Sequence, residues 1–220
     1  MADFLTCPAA DLTDRTLTLF ATLAGDADAL RDLAEYEIEA DDEIARGLAL
    51  VEEFRAALGA QAAEKAEAVL ATGTAALALA ELEAFHVRHR KLGRARHGRG
   101  TPGYTALGLA GRIPEADAEM EAGAEAFYRT CDANPALYAG VRGLNKDTVA
   151  AGLARVEAAR TARTAQARES GEAQMATTIR QGAEVRLRAL AADVAAAVED
   201  AYHDQPQRRE AFGLFERGTR

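Results

Sequence analysis

Residues 47–72 read GLALVEEFRAALGAQAAEKAEAVLAT, and residues 152–177 read GLARVEAARTARTAQARESGEAQMAT. The two stretches align without a gap at an offset of 105, and 15 of 26 positions agree. Nine of those 15 are not alanine, which separates the match from the self-similarity any Ala-rich chain shows with itself. At the same offset, Ala106-Leu107-Gly108-Leu109 corresponds to Ala211-Phe212-Gly213-Leu214. The reading is an internal duplication: two tandem helical repeats, 1–109 and 110–220, packed together.

Working outward, the pattern Ile44, Leu48, Val51, Phe54, Leu58 is a heptad-like apolar stripe, and Leu77, Leu82 and Phe85 restore it after an Ala-rich interval. No proline and no Gly-Asn or Gly-Asp turn signal falls between Asp41 and Leu92. A single helix there would run about 75 Å at ~1.5 Å per residue. Helices of that length are uncommon in globular domains, which favours a hairpin near 60–66. The ungapped duplication and the missing turn chemistry favour one long helix, and that is the expectation, repeated over 146–203. Two short helices over about 11–25 and 26–39 precede the first long element. Pro114, with Glu115 and Asp117, opens a helix broken at Asn134-Pro135, and Asn145 or Asp147 caps the second long element.

Ala, Leu, Glu and Arg dominate and aromatics are only 5%, so the fold class is all-α with Ala-rich, closely packed helices. Ala62, Ala66 and Gly73, with Ala167, Gly171 and Thr178, repeat at four and seven residues. They are expected to let the long helices of an antiparallel bundle cross closely near a pseudo-two-fold axis, so that Gly171→Leu would overpack the crossing.

The net charge of −9 and pI near 5.1 make nucleic acid an unfavourable partner for the whole protein. The opening MADFLTCPAADLTDRTLTLF lacks a basic n-region, and the longest apolar run, Ala75 to Leu82, is too short to span a bilayer. With two distant cysteines, Cys7 and Cys131, the expectation is a cytoplasmic protein, off the membrane and able to form a homo-oligomer.

Several short motifs, namely His89-Arg90-Lys91, Leu107-Gly108-Leu109-Ala110-Gly111-Arg112, Gly171-Glu172-Ala173-Gln174 and Phe212-Gly213-Leu214, resemble an uncharacterised bacterial family of all-α helical-bundle proteins. That resemblance implies a helical bundle and no assigned activity.

Two groups of residues carry chemistry. The segment 86–99 holds three of the four histidines and six cations, Arg88, Arg90, Lys91, Arg94, Arg96 and Arg99, with no acid. It fits an anionic ligand or nucleic acid, or else a helix C-terminus whose cations meet the macrodipole. Glu83 and His86 have the i, i+3 spacing of carboxylate-bridged metal bundles, Asp200 and His203 share that spacing, and Glu157 sits at the position equivalent to Glu52 in the other repeat. His86 has Ala191 as its equivalent, so a symmetric metal site is not available. One serine, Ser170, and no phosphate-loop or dinucleotide pattern leave no catalytic residue and no cofactor to name. The expected class is a non-enzymatic structural or interaction bundle, with the anion-binding segment as the alternative and the metal bundle third.

Overall fold

The computed structural model describes residues 4–36, 40–114 and 116–214. Among them are seven α-helices and no strand. Helix α1 spans Ala9–Gly25, α2 Ala27–Leu33, α3 Ala40–Arg96, α4 Pro102–Ala106, α5 Asp117–Ala133, α6 Lys146–Ala201 and α7 Pro206–Ala211. The region 41–92 is therefore one helix without a hairpin: α3 holds 57 residues and α6 holds 56. Good helix formers with no proline leave nothing to stop them. The caps are legible where they exist. Asn145 Oδ1 accepts from the Thr148 amide, and Thr148 Oγ1 accepts from the Asn145 amide, a reciprocal box opening α6. The expected start of α5 at Pro114 moves to Asp117, and Glu115 and residues 37–39 lie outside the described residues.

The chain forms two compact units. One comprises 1–64 and 173–220, the other 65–172, so each long helix gives one part of its length to each unit. This partition follows packing and differs in kind from the repeat boundary at 109/110 expected from the sequence.

In the first unit, Leu12, Leu19, Phe20 and Leu23 of α1 meet Val51 and Phe54 of α3, Leu187, Val194 and Val198 of α6, and Phe212 and Leu214 beyond α7. Here α3 and α6 run antiparallel, with Gln61 donating to Thr177 Oγ1 at 2.9 Å and Arg186 paired with Glu53. In the second unit the core is Leu82 of α3, Leu107 and Leu109 after α4, Met120, Phe127 and Tyr128 of α5, and Val149 and Val156 of α6. The same two helices are antiparallel there too. Gln166 donates to Thr72 Oγ1 at 3.4 Å, and the Arg155 guanidinium lies 4.1 Å from the centre of the Phe85 ring.

The phase of the long helices differs from the sequence expectation. Ile44, Gly47, Val51 and Phe54 are buried while Leu48 is exposed, because the α1 side chain Phe20 occupies the space over Gly47. The proposed crossing residues Ala62, Ala66, Gly73, Ala167, Gly171 and Thr178 are all exposed. A Cβ on Gly73 or Gly171 would meet nothing within 4 Å, so neither glycine serves a close approach in this structure. The small residues that are buried are Ala57, Ala75, Ala159, Ala176 and Ala183. In an Ala-rich helix the methyl is used on both faces, so small size alone does not mark the inner one.

The expectation of no spanning run also changes. Helix α3 carries an 18-residue window of mean hydropathy 1.4, of which 11% is buried, and is long and apolar enough to cross a membrane by length and composition. Alanine is frequent along α3, and one such helix is a weak sign.

Candidate functional site: a basic double pocket

The second unit gathers the chemistry. The C-terminal part of α3, helix α5 and the loop 107–114 enclose a pocket of about 320 Å³ lined by His86, Arg90, Thr105, Leu107, Arg112, Phe127 and Thr130 among others. A second, outer pocket of about 380 Å³ is framed by Arg94, His97, Arg99, Tyr104, Gly111 and Arg112. Arg112 belongs to both, and among the described residues no aspartate or glutamate lines either.

Helical spacing places these groups. His86, His89, Arg90 and Gly93 recur at three and four residues and so share the buried face of α3. Gly108, with φ at 58°, turns the chain after α4, a conformation glycine adopts without a Cβ penalty. That turn aims backbone carbonyls at α3. Arg90 Nη2 donates to Gly108 O and Ala110 O, both at 3.0 Å, while Arg94 donates to Leu109 O at 3.0 Å and Gly111 O at 2.5 Å. Two of the six predicted anion-binding cations thus also hold the loop that forms the pocket wall.

The electrostatics are one-sided. Arg90 is 6% exposed and His86 3% exposed. Arg90 Nε and His86 Nδ1 are buried and without a hydrogen-bond partner among the described residues. Burial, then the Arg90 charge, then His89 push the His86 pKa down to about 4, so its ring is neutral at pH 7. Burial and then Arg94 lower that of Arg90. His89, lowered by burial and then by Arg88 and Arg155, has its Nδ1 3.0 Å from the Tyr128 hydroxyl. Burial is the largest cause of each shift, and neighbouring cations add to it.

Several arginines elsewhere are paired. Arg188 contacts Glu184 at 2.7 Å, Arg208 contacts Asp26 at 3.0 Å, and Arg160 and Arg163 reach Glu121 at 3.2 and 2.9 Å. By contrast, Arg88, Arg90, Lys91, Arg94, Arg96, Arg99 and Arg112 have no ion-pair partner among the described residues. Apart from Arg90 these are exposed. Arg88, Lys91 and Arg96 line neither pocket.

The metal candidates are dispersed. Glu83 is exposed on the turn before His86. Glu157 is exposed and lies 3.8 Å from Arg160. His203 belongs to the first unit and pairs with Asp204 at 2.9 Å. Cys131 is a buried thiol whose pKa burial pushes up to about 12, unsuited to nucleophilic work. The sequence reading missed Arg112, Thr105, Thr130 and Phe127. Only Arg112 left a signal, as the cation that ends the Gly-rich loop.

Comparison with known proteins returns no match among family models, curated proteins or solved structures. The protein is an all-α helical bundle, and the resemblance to an uncharacterised bacterial family has no matching family model behind it.

Proposed function

We propose that this chain is a non-enzymatic binding bundle that recognises an anionic partner through the basic segment 86–99 and the loop ending at Arg112. One observation carries the reading: in a protein of net charge −9, Arg90, Arg94, Arg99 and Arg112 line two pockets that no acid lines among the described residues. Arg31 and Arg129, surface arginines elsewhere in the chain, find carboxylates, and these do not among the described residues. Arg94 and Arg99 with Arg112 at the outer pocket suit an anion of several charges, because guanidinium groups match phosphate and carboxylate oxygens by geometry and charge.

The direct test is calorimetric titration of the protein with tripolyphosphate at low and high salt. Binding is expected to weaken as salt rises. The double variant Arg99→Gln, Arg112→Gln should weaken it by about tenfold or more, each lost charge contributing up to ~1 kcal/mol. Affinity indifferent to both salt and substitution overturns the reading.

We also propose that the two halves arose by duplication. The support is local and repeated. Shifting Ala40–Arg96 by the offset reaches the bounds of α6 to within a residue, and α1 and α5 each have 17 residues. A Cβ on Gly47 would lie 2.3 Å from Phe20 Cε2, and one on Gly152 would lie 2.4 Å from Tyr128 Cε1. The bonds Gly108 N to Thr105 O and Leu109 N to Tyr104 O recur as Gly213 N to Glu210 O and Leu214 N to Arg209 O. A pseudo-two-fold relation between the repeats belongs to this proposal.

A further inference from the structure

We infer that the outer face of α3 between Ala66 and Ala84 is a docking surface for the same face of a second copy of this chain, the two helices running parallel with Glu83 of each copy set against Arg88 of the other. The inference goes beyond the anion-binding reading and does not depend on it.

Helical spacing picks the face out. Ala75, Leu82 and His89 are seven residues apart and buried, so they fix the inward side of α3 in the second unit. The opposite side carries Ala66, Leu70, Gly73, Leu77, Ala80 and Ala84, alternately four and three residues apart, all exposed and none charged. That is the spacing of a two-stranded coiled-coil seam, held over about 27 Å at ~1.5 Å per residue. Leu70 and Leu77 are 71% and 69% exposed, and Val69 beside them is 71% exposed, an apolar strip that covering by a partner takes out of water. A Cβ on Gly73 would meet nothing within 4 Å, so the space over the seam is open to another helix. Alanine and glycine between the leucines let two such helices approach toward the near end of the usual ~8–10 Å.

Charge chooses the occupant. Glu83 and Arg88 flank the seam, both exposed and both without an ion-pair partner among the described residues. They stand five residues apart on opposite edges of the seam, and in a parallel coiled coil residues so placed meet across it from different helices. Two copies in register therefore bring Glu83 to Arg88 twice. The other flanking pairs at the same separation, Val69 with Thr74 and Ala76 with Glu81, set no like charges together. The face is thus complementary to itself in charge as well as in shape, which a second copy satisfies without any further partner.

The experiment is sedimentation equilibrium of the full chain over a dilution series, joined to cross-linking of single-cysteine variants with a short bis-maleimide. A dimer that dissociates on dilution is expected. Leu70→Lys with Leu77→Lys, both at exposed positions and so outside the core, should shift it to monomer with the helical circular dichroism kept. Glu83→Arg and Arg88→Glu should each weaken the dimer by about threefold to tenfold, and the two together should restore it. Ala66→Cys and Ala80→Cys should each cross-link to its own kind, because equal positions face each other only in the parallel register, while the native Cys7 and Cys131 are buried. A monomer at every concentration overturns the inference, as does a dimer that survives the two lysines or one in which Ala66→Cys links only to Ala80→Cys, the antiparallel arrangement. Sedimentation of the chain with phosphatidylcholine vesicles, lost with the same two lysines, would assign the face to a lipid surface and overturn it too.

Discussion

Gly47 and Gly152 lie directly beneath aromatic rings, Phe20 over the first and Tyr128 over the second, and no side chain fits there without moving a buried ring. Gly47→Ala and Gly152→Ala should each destabilise by about 1–3 kcal/mol in urea unfolding, although alanine is the better helix former. At Gly73 and Gly171 the space is open, so Gly→Ala should instead stabilise by ~0.5–1 kcal/mol. The sequence marked Gly47 and Gly152 as equivalent, but nothing in it separated their role from that of Gly171, because the difference lies in a ring supplied by another helix. His86 gives a second residue-scale prediction. Its folded pKa, pushed to about 4 by burial, Arg90 and His89, sits below the ordinary 6.5 of the unfolded chain. Between those values the unfolded state binds the extra proton, so stability falls as pH drops from about 6.5 to about 4 and is complete above that window. The loss is at most ~3 kcal/mol, and urea midpoints taken across the window should show it flattened in His86→Phe.

At the scale of elements, helix existence was plain from composition and missing turn chemistry, and helix phase was not. Val51 and Phe54 mark the inner face of α3, but through the alanines between Ala60 and Ala76 every face looks alike. There the contacts include polar ones, such as Gln61 to Thr177 and Gln166 to Thr72, which no apolar periodicity announces. Helix α5 is fastened to α6 by charge as well as by Phe127 and Tyr128. Glu121, largely buried, accepts from Arg160 and Arg163, and Glu125 accepts from Arg160 and Arg129. Glu121→Ala should cost about 1–3 kcal/mol in thermal or urea unfolding, tempered because both its arginines keep contact with water. The basic pocket was legible in part for the same reason. The run 86–99 stood out by charge, whereas Phe127 and Thr130 joined it through the docking of α5, a long-range event with no local signature.

At the scale of the molecule, each compact unit draws on both of the proposed repeats. Val51 and Phe54 of the first repeat need Leu187, Val194 and Val198 of the second, while Leu82 needs Val149 and Val156. The match between 47–72 and 152–177 was readable because it is a matter of order along the chain, whereas the sharing of each long helix between two units is a property of packing. Under the proposed duplication, residues 1–109 made alone lack half of each core and should complete it with a second copy. Light scattering of that fragment is expected to give a dimer mass, and a folded monomer would contradict the exchange.

The same division orders events while the chain is being made. The unit formed by 65–172 is continuous and can close as soon as its last residues leave the ribosome, whereas the unit begun by the first 64 residues must wait for 173 onward. At ~5–20 residues per second, α1 spends on the order of ten seconds with Leu12, Leu19, Phe20 and Leu23 lacking the α6 side chains that complete their core. Of the two units, the one whose synthesis starts first is therefore the one finished last, and its helix α1 is where a holding chaperone would find apolar surface.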